Sequence, residues 1–290
     1  MKQNHSYLML YASWASIGVA LTLIFLKIGG FLLTGSIAIL STLFDSVQDL
    51  MTSSINFIAV KNAIQPADKK HRFGHGKAQG IGSLMQSMII LISGGILIYT
   101  SCQYLFQQKA PSDLSAGILI IVIALVLTFI LIQFQQYVIQ RTHSLSIKAD
   151  RAHYTGDILM NTGVILSLIA SHFMKTGWLD ALFGIGVGFY LIKVSYDIIC
   201  QSIEMLMDTE LSPEIRHKIT QCVLILSDIH KVSDLRTRQS GNKIFIQMTL
   251  HMTNSLSLKQ AHLLADQVEH LIHLDFPTAE IVLHLEPEQK

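Results

Sequence analysis

Charge is what this sequence has least of. Of its 290 residues only 21 are lysine or arginine and 20 are aspartate or glutamate, while 50% are hydrophobic and the mean hydropathy is +0.45. Soluble domains carry about 25% charged residues, so 14% here argues against an ordinary soluble domain and for a membrane protein. The acids are also unevenly spread, 9 in residues 1–206 and 11 in residues 207–290. That asymmetry divides the chain into a membrane part, 1–206, and a soluble part, 207–290. Cysteine is scarce too: Cys102, Cys200 and Cys222 are far apart with no CxxC among them, which excludes both a disulfide framework and a thiolate zinc site. They suit a reducing, cytoplasmic environment. A formal net charge of +1 leaves no basic footprint for nucleic acid. No A-x-A cleavage signature follows the apolar run from Tyr7, so that run reads as an uncleaved first span.

A helix needs about 20 mostly apolar residues to cross a bilayer. Segments near 8–33, 36–60, 79–107, 115–139, 147–174 and 179–205 qualify, which predicts six transmembrane helices. The fourth, "AGILIIVIALVLTFILI", holds no charge. The fifth, "SLSIKADRAHYTGDILMNTGVILSLIASHF", opens on charged residues, so its polar half must face protein, an aqueous cavity or the interface. Lys61, Lys69, Lys70, Arg72 and Lys77 crowd one loop, and Arg141, Lys148 and Arg151 another. By the positive-inside rule both termini face the cytoplasm. Lys27 and Lys193 sit near the ends of spans, where long side chains snorkel to water, and are expected to take no part in transport.

From Asp208 the pattern becomes that of an α+β domain. "SPEIRHKITQCVLIL" starts as a helix, and "VSDLRTRQ" with "KIFIQMTLHM" alternates around Ser240-Gly241-Asn242 as a hairpin. "LKQAHLLADQVEHLIHLDF" has helical periodicity and "AEIVLHLE" reads as a last strand, giving the order α-β-β-α-β. A single small sheet keeps a face or an edge available, so pairing with a second copy is expected.

Chemistry enters with the acids inside the spans. Asp45 and Asp49 are four residues apart on the second span and share one helix face, and His153 and Asp157 repeat that spacing on the fifth. A lone intramembrane carboxylate can be satisfied by a neighbouring helix. Two such pairs in a chain so poor in acids point instead to a shared four-ligand metal site. Three carboxylates with one imidazole suit a divalent ion of borderline softness, so zinc leads, with iron(II), cadmium and manganese behind it. Without metal, carboxylates crowded in low dielectric repel one another and take up protons. Binding a dication releases those protons, and a site that faces either side in turn becomes a metal/proton antiporter.

A second cluster, Asp68, His71 and His75, lies in the loop "PADKKHRFGHGKAQG". Its spacing can hold one metal, yet loop histidines often simply face water, and spacing alone does not separate the two. Gly74, Gly76 and Gly80 are no phosphate loop: Ala78 follows the Gly-Lys, and no strand precedes it.

Together, the Asp-x3-Asp of the second span, the Asp-x2-His-x3-His loop ending in "FGHGK", the His-x3-Asp of the fifth span and the tail phrase "DLRTRQSG" resemble the cation diffusion facilitator family. The likeness is to its bacterial zinc and iron efflux type and covers essentially the whole chain. It implies a homodimer in the bacterial inner membrane, with six spans per subunit and a metallochaperone-like cytoplasmic domain. It implies a transport site of Asp45, Asp49, His153 and Asp157, a loop site of Asp68, His71 and His75, and a dimer charge network that includes Lys77 and Asp208. Family members also hold two metals in the cytoplasmic domain. His262 and His284 match that pattern and Glu286 stands where aspartate is usual, but Ser233 and Thr249 replace histidines. A hydroxyl is a poor zinc ligand, so the domain is expected to bind fewer than two metals. His251, two residues beyond Thr249 on the same strand face, is the available substitute, though it reads more readily as an exposed strand histidine.

Two other function classes compete with efflux. An intramembrane metalloenzyme would use the same quartet, but HExxH and an extra general base are missing. A non-transporting metal sensor or scaffold is argued against by the intact quartet. No organic cofactor is indicated.

Overall fold

The computed structural model describes residues 2–34, 37–107, 118–174 and 178–288, with the side chains of 2–5, 34, 37–41, 106–107, 118–119, 164, 167–174 and 178–180 left aside. It divides into two compact units, Met1–Ile203 and Glu204–Lys290.

The first unit is built from six long helices: α1 (Lys2–Thr34), α2 (Ile37–Ala63), α3 (Ala78–Gln107), α4 (Ile118–Thr142), α5 (Leu145–Met174) and α6 (Trp178–Leu206). Among the described residues four of them are long and apolar enough to cross a membrane, over Ser6–Leu33, Ala78–Leu105, Ile120–Thr142 and Ala181–Leu206. The other two, α2 and α5, are the helices that carry the paired candidate ligands. Asp45, Asp49 and Asn56 on α2, and Lys148, Asp150, Arg151, His153 and Asp157 on α5, take the place of apolar residues.

Apolar packing and polar pairing both join these helices. Met9, Ala12, Val60, Val138 and Ile147 form one buried cluster, and Leu131, Ile132 and Tyr154 another. Between them lies a set of polar side chains with no water to turn to, so each must find a partner inside the protein. Asp150 is fully buried and accepts from Ser16 Oγ at 2.6 Å, Gln135 Nε2 at 2.8 Å and Gln86 Nε2 at 2.9 Å. One carboxylate on α5 thus binds α1, α4 and α3. The Tyr154 hydroxyl bonds Ser53 on α2 at 2.9 Å and the Ser16 carbonyl at 3.2 Å, and Asn56 accepts from Ser146 Oγ at 2.5 Å. On the other side of α5, Lys148 Nζ donates to Gln201 Oε1 on α6 at 2.8 Å. Gly156 lies against α6, where an added Cβ would stand 2.7 Å from Leu191 Cδ2 and push that side chain aside.

The second unit runs α7 (Pro213–Val223), β1 (Ile229–Ser240), β2 (Lys243–Met252), α8 (Leu258–Asp275) and β3 (Glu280–Pro287). The sheet order is β1-β2-β3, with β1 antiparallel and β3 parallel to β2. Ser212 and Pro213 start α7, while Ser257 and Gln260 close a reciprocal capping box on α8. Gly241, at φ +61°, supplies the left-handed residue of the β1–β2 turn. Ile219 and Val223 of α7, Ile246 and Leu250 of β2, and Val268 and Ile272 of α8 close a core on one face of the sheet.

The phrase "DLRTRQSG" lies on β1, and its side chains fasten the segment that follows α6. Thr237 donates from its backbone to Glu210 at 2.9 Å, and Arg238 pairs with Asp208 at 3.2 Å while stacking on Phe245. Asp234, at φ +50°, falls in a register shift between Ser233 and Arg236.

Candidate metal centres

Helix periodicity puts Asp49 on α2, and His153 and Asp157 on α5, around one cavity of about 420 Å³. His153 Nε2 lies 3.0 Å from Asp49 Oδ1 and 3.8 Å from Asp157 Oδ2, and the three ligand atoms all fall within 4.8 Å of one another. Asp157 Oδ2 is buried and accepts no hydrogen bond. A buried carboxylate oxygen without a donor is what a cation-binding group looks like when the protein has not spent it elsewhere. Asp45 lines the same cavity one turn before Asp49, outside the tight group of three. The four residues of the sequence quartet therefore share a cavity, with three of them already converged.

Lys27 overturns its expected place. Rather than reaching for water, its Nζ donates to the Thr42 carbonyl and to Ser46 Oγ, both at 2.7 Å, and the side chain lines the same cavity. The run of apolar residues around Lys27 hid this, because position along a span does not say which way a side chain turns.

The loop cluster is also brought together. Asp68 Oδ1 lies 3.4 Å from His71 Nδ1, and Asp68 Oδ2 lies 3.3 Å from His75 Nε2. Backbone N–H groups of His71 and Lys70 donate to Asp68 Oδ1 at 2.6 and 2.8 Å and hold its carboxyl below the usual carboxylate range. Gly74, at φ +83°, makes the turn that returns His75 to Asp68.

In the second unit the candidate ligands are dispersed. His262 on α8 is exposed and lies 3.8 Å from Asp266 of its own helix, whereas His284 lies 3.3 Å from Glu286 on β3. Among the described residues these do not form a three-ligand group like the two above. His251 is not the exposed strand histidine expected of it: its side chain is 18% exposed, with Nε2 bonded to Ser233 Oγ at 2.7 Å and Nδ1 3.8 Å from Glu286. Strand pairing accounts for this: Ser233 on β1 stands directly opposite Thr249 on β2, and His251, two residues further along β2, is its diagonal neighbour on the same face of the sheet. Lys77 starts the turn into α3, its carbonyl accepting from Ile81 N at 3.2 Å, and Asp208 pairs with Arg238.

Long apolar helices around a buried cluster of carboxylate and imidazole side chains, followed by a small α+β domain, define a helical membrane protein with a candidate cation site. The chain belongs to the cation efflux, or cation diffusion facilitator, family: residues 13–207 match the family's "Cation efflux transmembrane domain" and 211–288 its "Cation efflux protein, cytoplasmic domain". Cation-efflux pump FieF of Escherichia coli K12 is 38% identical over 289 residues, covering 99% of this chain and 95% of that protein. FieF of Escherichia fergusonii matches to the same extent, 38% over 289 residues. A solved structure of CzrB, named there as a candidate zinc transporter, is 30% identical over 27% of this chain and 99% of its own. Its TM-score of 0.26 shows nothing about the fold. The family is one of metal cation efflux transporters, not of enzymes.

Proposed function

We propose that the protein exports a divalent transition metal, zinc before iron(II) or cadmium, in exchange for protons, by alternating access around Asp45, Asp49, His153 and Asp157. The observation that carries this reading is the convergence of Asp49, His153 and Asp157 within 4.8 Å on two helices, around an unsatisfied carboxylate oxygen. Three carboxylates and one imidazole present the mixed oxygen and nitrogen donors that zinc accepts in tetrahedral geometry. Each must be deprotonated to bind metal, so loading expels protons and reprotonation expels metal. That competition couples the two fluxes.

In this reading α2 and α5 cross the membrane with the four apolar helices, giving six spans in a bacterial inner membrane with both termini cytoplasmic. Their polar faces turn to the cavity rather than to lipid. Residues 1–206 are the transport domain and 207–290 a cytoplasmic dimerisation and regulatory domain, with Lys77 and Asp208 in a charge network of the homodimer. Asp68, His71 and His75 take up metal at the cytoplasmic loop. His262, His284 and Glu286 are the remnant of a second-unit site.

Proteoliposomes loaded with a zinc-sensitive dye test the proposal. Wild-type protein is expected to carry zinc faster with an opposing proton gradient, and Asp49→Ala and Asp157→Ala to lose at least about 90% of the flux, more than 1.4 kcal/mol of stabilisation for the transported state. Flux indifferent to the pH gradient refutes antiport. Zinc binding without any flux favours a sensor.

A further inference from the structure

The cavity that holds the candidate ligands also holds a cation of its own. Lys27 is the one lysine or arginine among its described lining residues. Its two hydrogen bonds go to Thr42 and Ser46, which flank Asp45 on α2, and Ser46 is fully buried. The charge on α1 is therefore clamped to the same turn of α2 that presents Asp45. It shares the cavity with Asp45, Asp49, His153 and Asp157. Removing a lysine charge from water is costly, and the three carboxylates lining the cavity are the opposite charges that offset that cost for Lys27.

We propose that Lys27 is a tethered counter-cation of the transport site, weakening its hold on the transported dication so that the ion can leave. The inference rests on the efflux reading above. A transport site must bind well enough to load and weakly enough to unload, and a fixed positive charge inside the cavity achieves the second without removing a ligand. Out to about 20 Å at an effective dielectric of about 20, a unit charge repels a dication strongly enough to change affinity by about tenfold or more. Lys27 also offsets part of the carboxylates' mutual repulsion after the metal departs, so the empty site does not depend on protons alone. It touches no metal ligand through its two bonds and acts by charge and by place.

The sign of the effect separates this role from a purely structural clamp. Full-length protein is titrated calorimetrically with zinc, using wild type and Lys27→Met, Lys27→Gln and Lys27→Arg, and following the binding component that Asp157→Ala abolishes. Lys27→Met and Lys27→Gln are expected to lower Kd about tenfold and to slow zinc turnover in proteoliposomes at saturating zinc. Lys27→Arg, which keeps the charge, is expected to stay within about threefold of wild type, by the same electrostatic argument. Unchanged or raised Kd in both neutral variants overturns the inference, since a lost clamp loosens the site. A wild-type isotherm with no component sensitive to Asp157→Ala refutes the site assignment itself, a failure distinct from that of the Lys27 role.

Discussion

Single atoms decide the two candidate metal centres. Asp157 Oδ2 is buried without a hydrogen-bond donor, so Asp157→Asn, which keeps shape but removes charge, is expected to abolish the calorimetric zinc component while leaving the melting temperature within a few degrees. A group that served only to hold the fold would show the reverse. At the loop, Asp68 is held below the ordinary carboxylate range, first by the His71 amide. A depressed carboxylate stabilises what it binds above the unfolded value, about pH 4, and that contribution fades as pH falls through the lower folded value. Hydrogen exchange at the His71 amide is therefore expected to keep its protection down to about pH 4 and to lose it below. Asp68→Asn should lose part of that protection at neutral pH as well. In the second unit, burial raises the Cys222 thiol above its usual value, so it should alkylate slowly near neutrality unless α7 opens.

Among the elements, α5 reaches all five other helices of the first unit through polar side chains. Asp150 lies one turn before His153 and ties α5 to α1, α3 and α4 through three hydrogen bonds. Asp150→Ala strands the Gln86 amide in the interior and takes one bond each from Gln135, which keeps Ser16, and from Ser16, which keeps the Ala12 carbonyl, a loss of about 2 kcal/mol or more. It is expected to lower the melting temperature and to weaken zinc binding together. Asp150→Asn keeps acceptor capacity and should recover part of both. The hydrogen bonds of Asp150 were not legible in the sequence, where it is one of several charged residues opening the fifth span. Its i,i+3 relation to His153 was visible; its partners Ser16, Gln86 and Gln135 come from three other helices and have no local signature.

For the whole molecule, the second unit has its own core and can be tested alone. A 204–290 fragment is expected to fold and to bind fewer than two zinc ions per chain, because His262 lies beside Asp266 and His251 is engaged by Ser233. Calorimetry that finds two tight zinc sites contradicts this. On the proposed function, metal handling belongs to residues 1–206 and dimerisation to residues 207–290.

Composition and periodicity by themselves determined much of this protein. Apolar runs long enough for a bilayer predicted the helices, period-two alternation around Gly241 predicted the hairpin, and i,i+4 pairs placed Asp45 with Asp49 and His153 with Asp157. These are local signals, carried by residues within a turn or two of one another. Where distant side chains meet follows from packing in three dimensions. That packing gathered the four candidate ligands around one cavity and brought three of them within 4.8 Å of one another, turned Lys27 inward to Thr42 and Ser46, seated Asp150 among three helices, and set Ser233 diagonally across from His251. The physical reason is the same in each case. A buried polar group must find a partner, and which partner it finds depends on how helices and strands far apart in sequence pack.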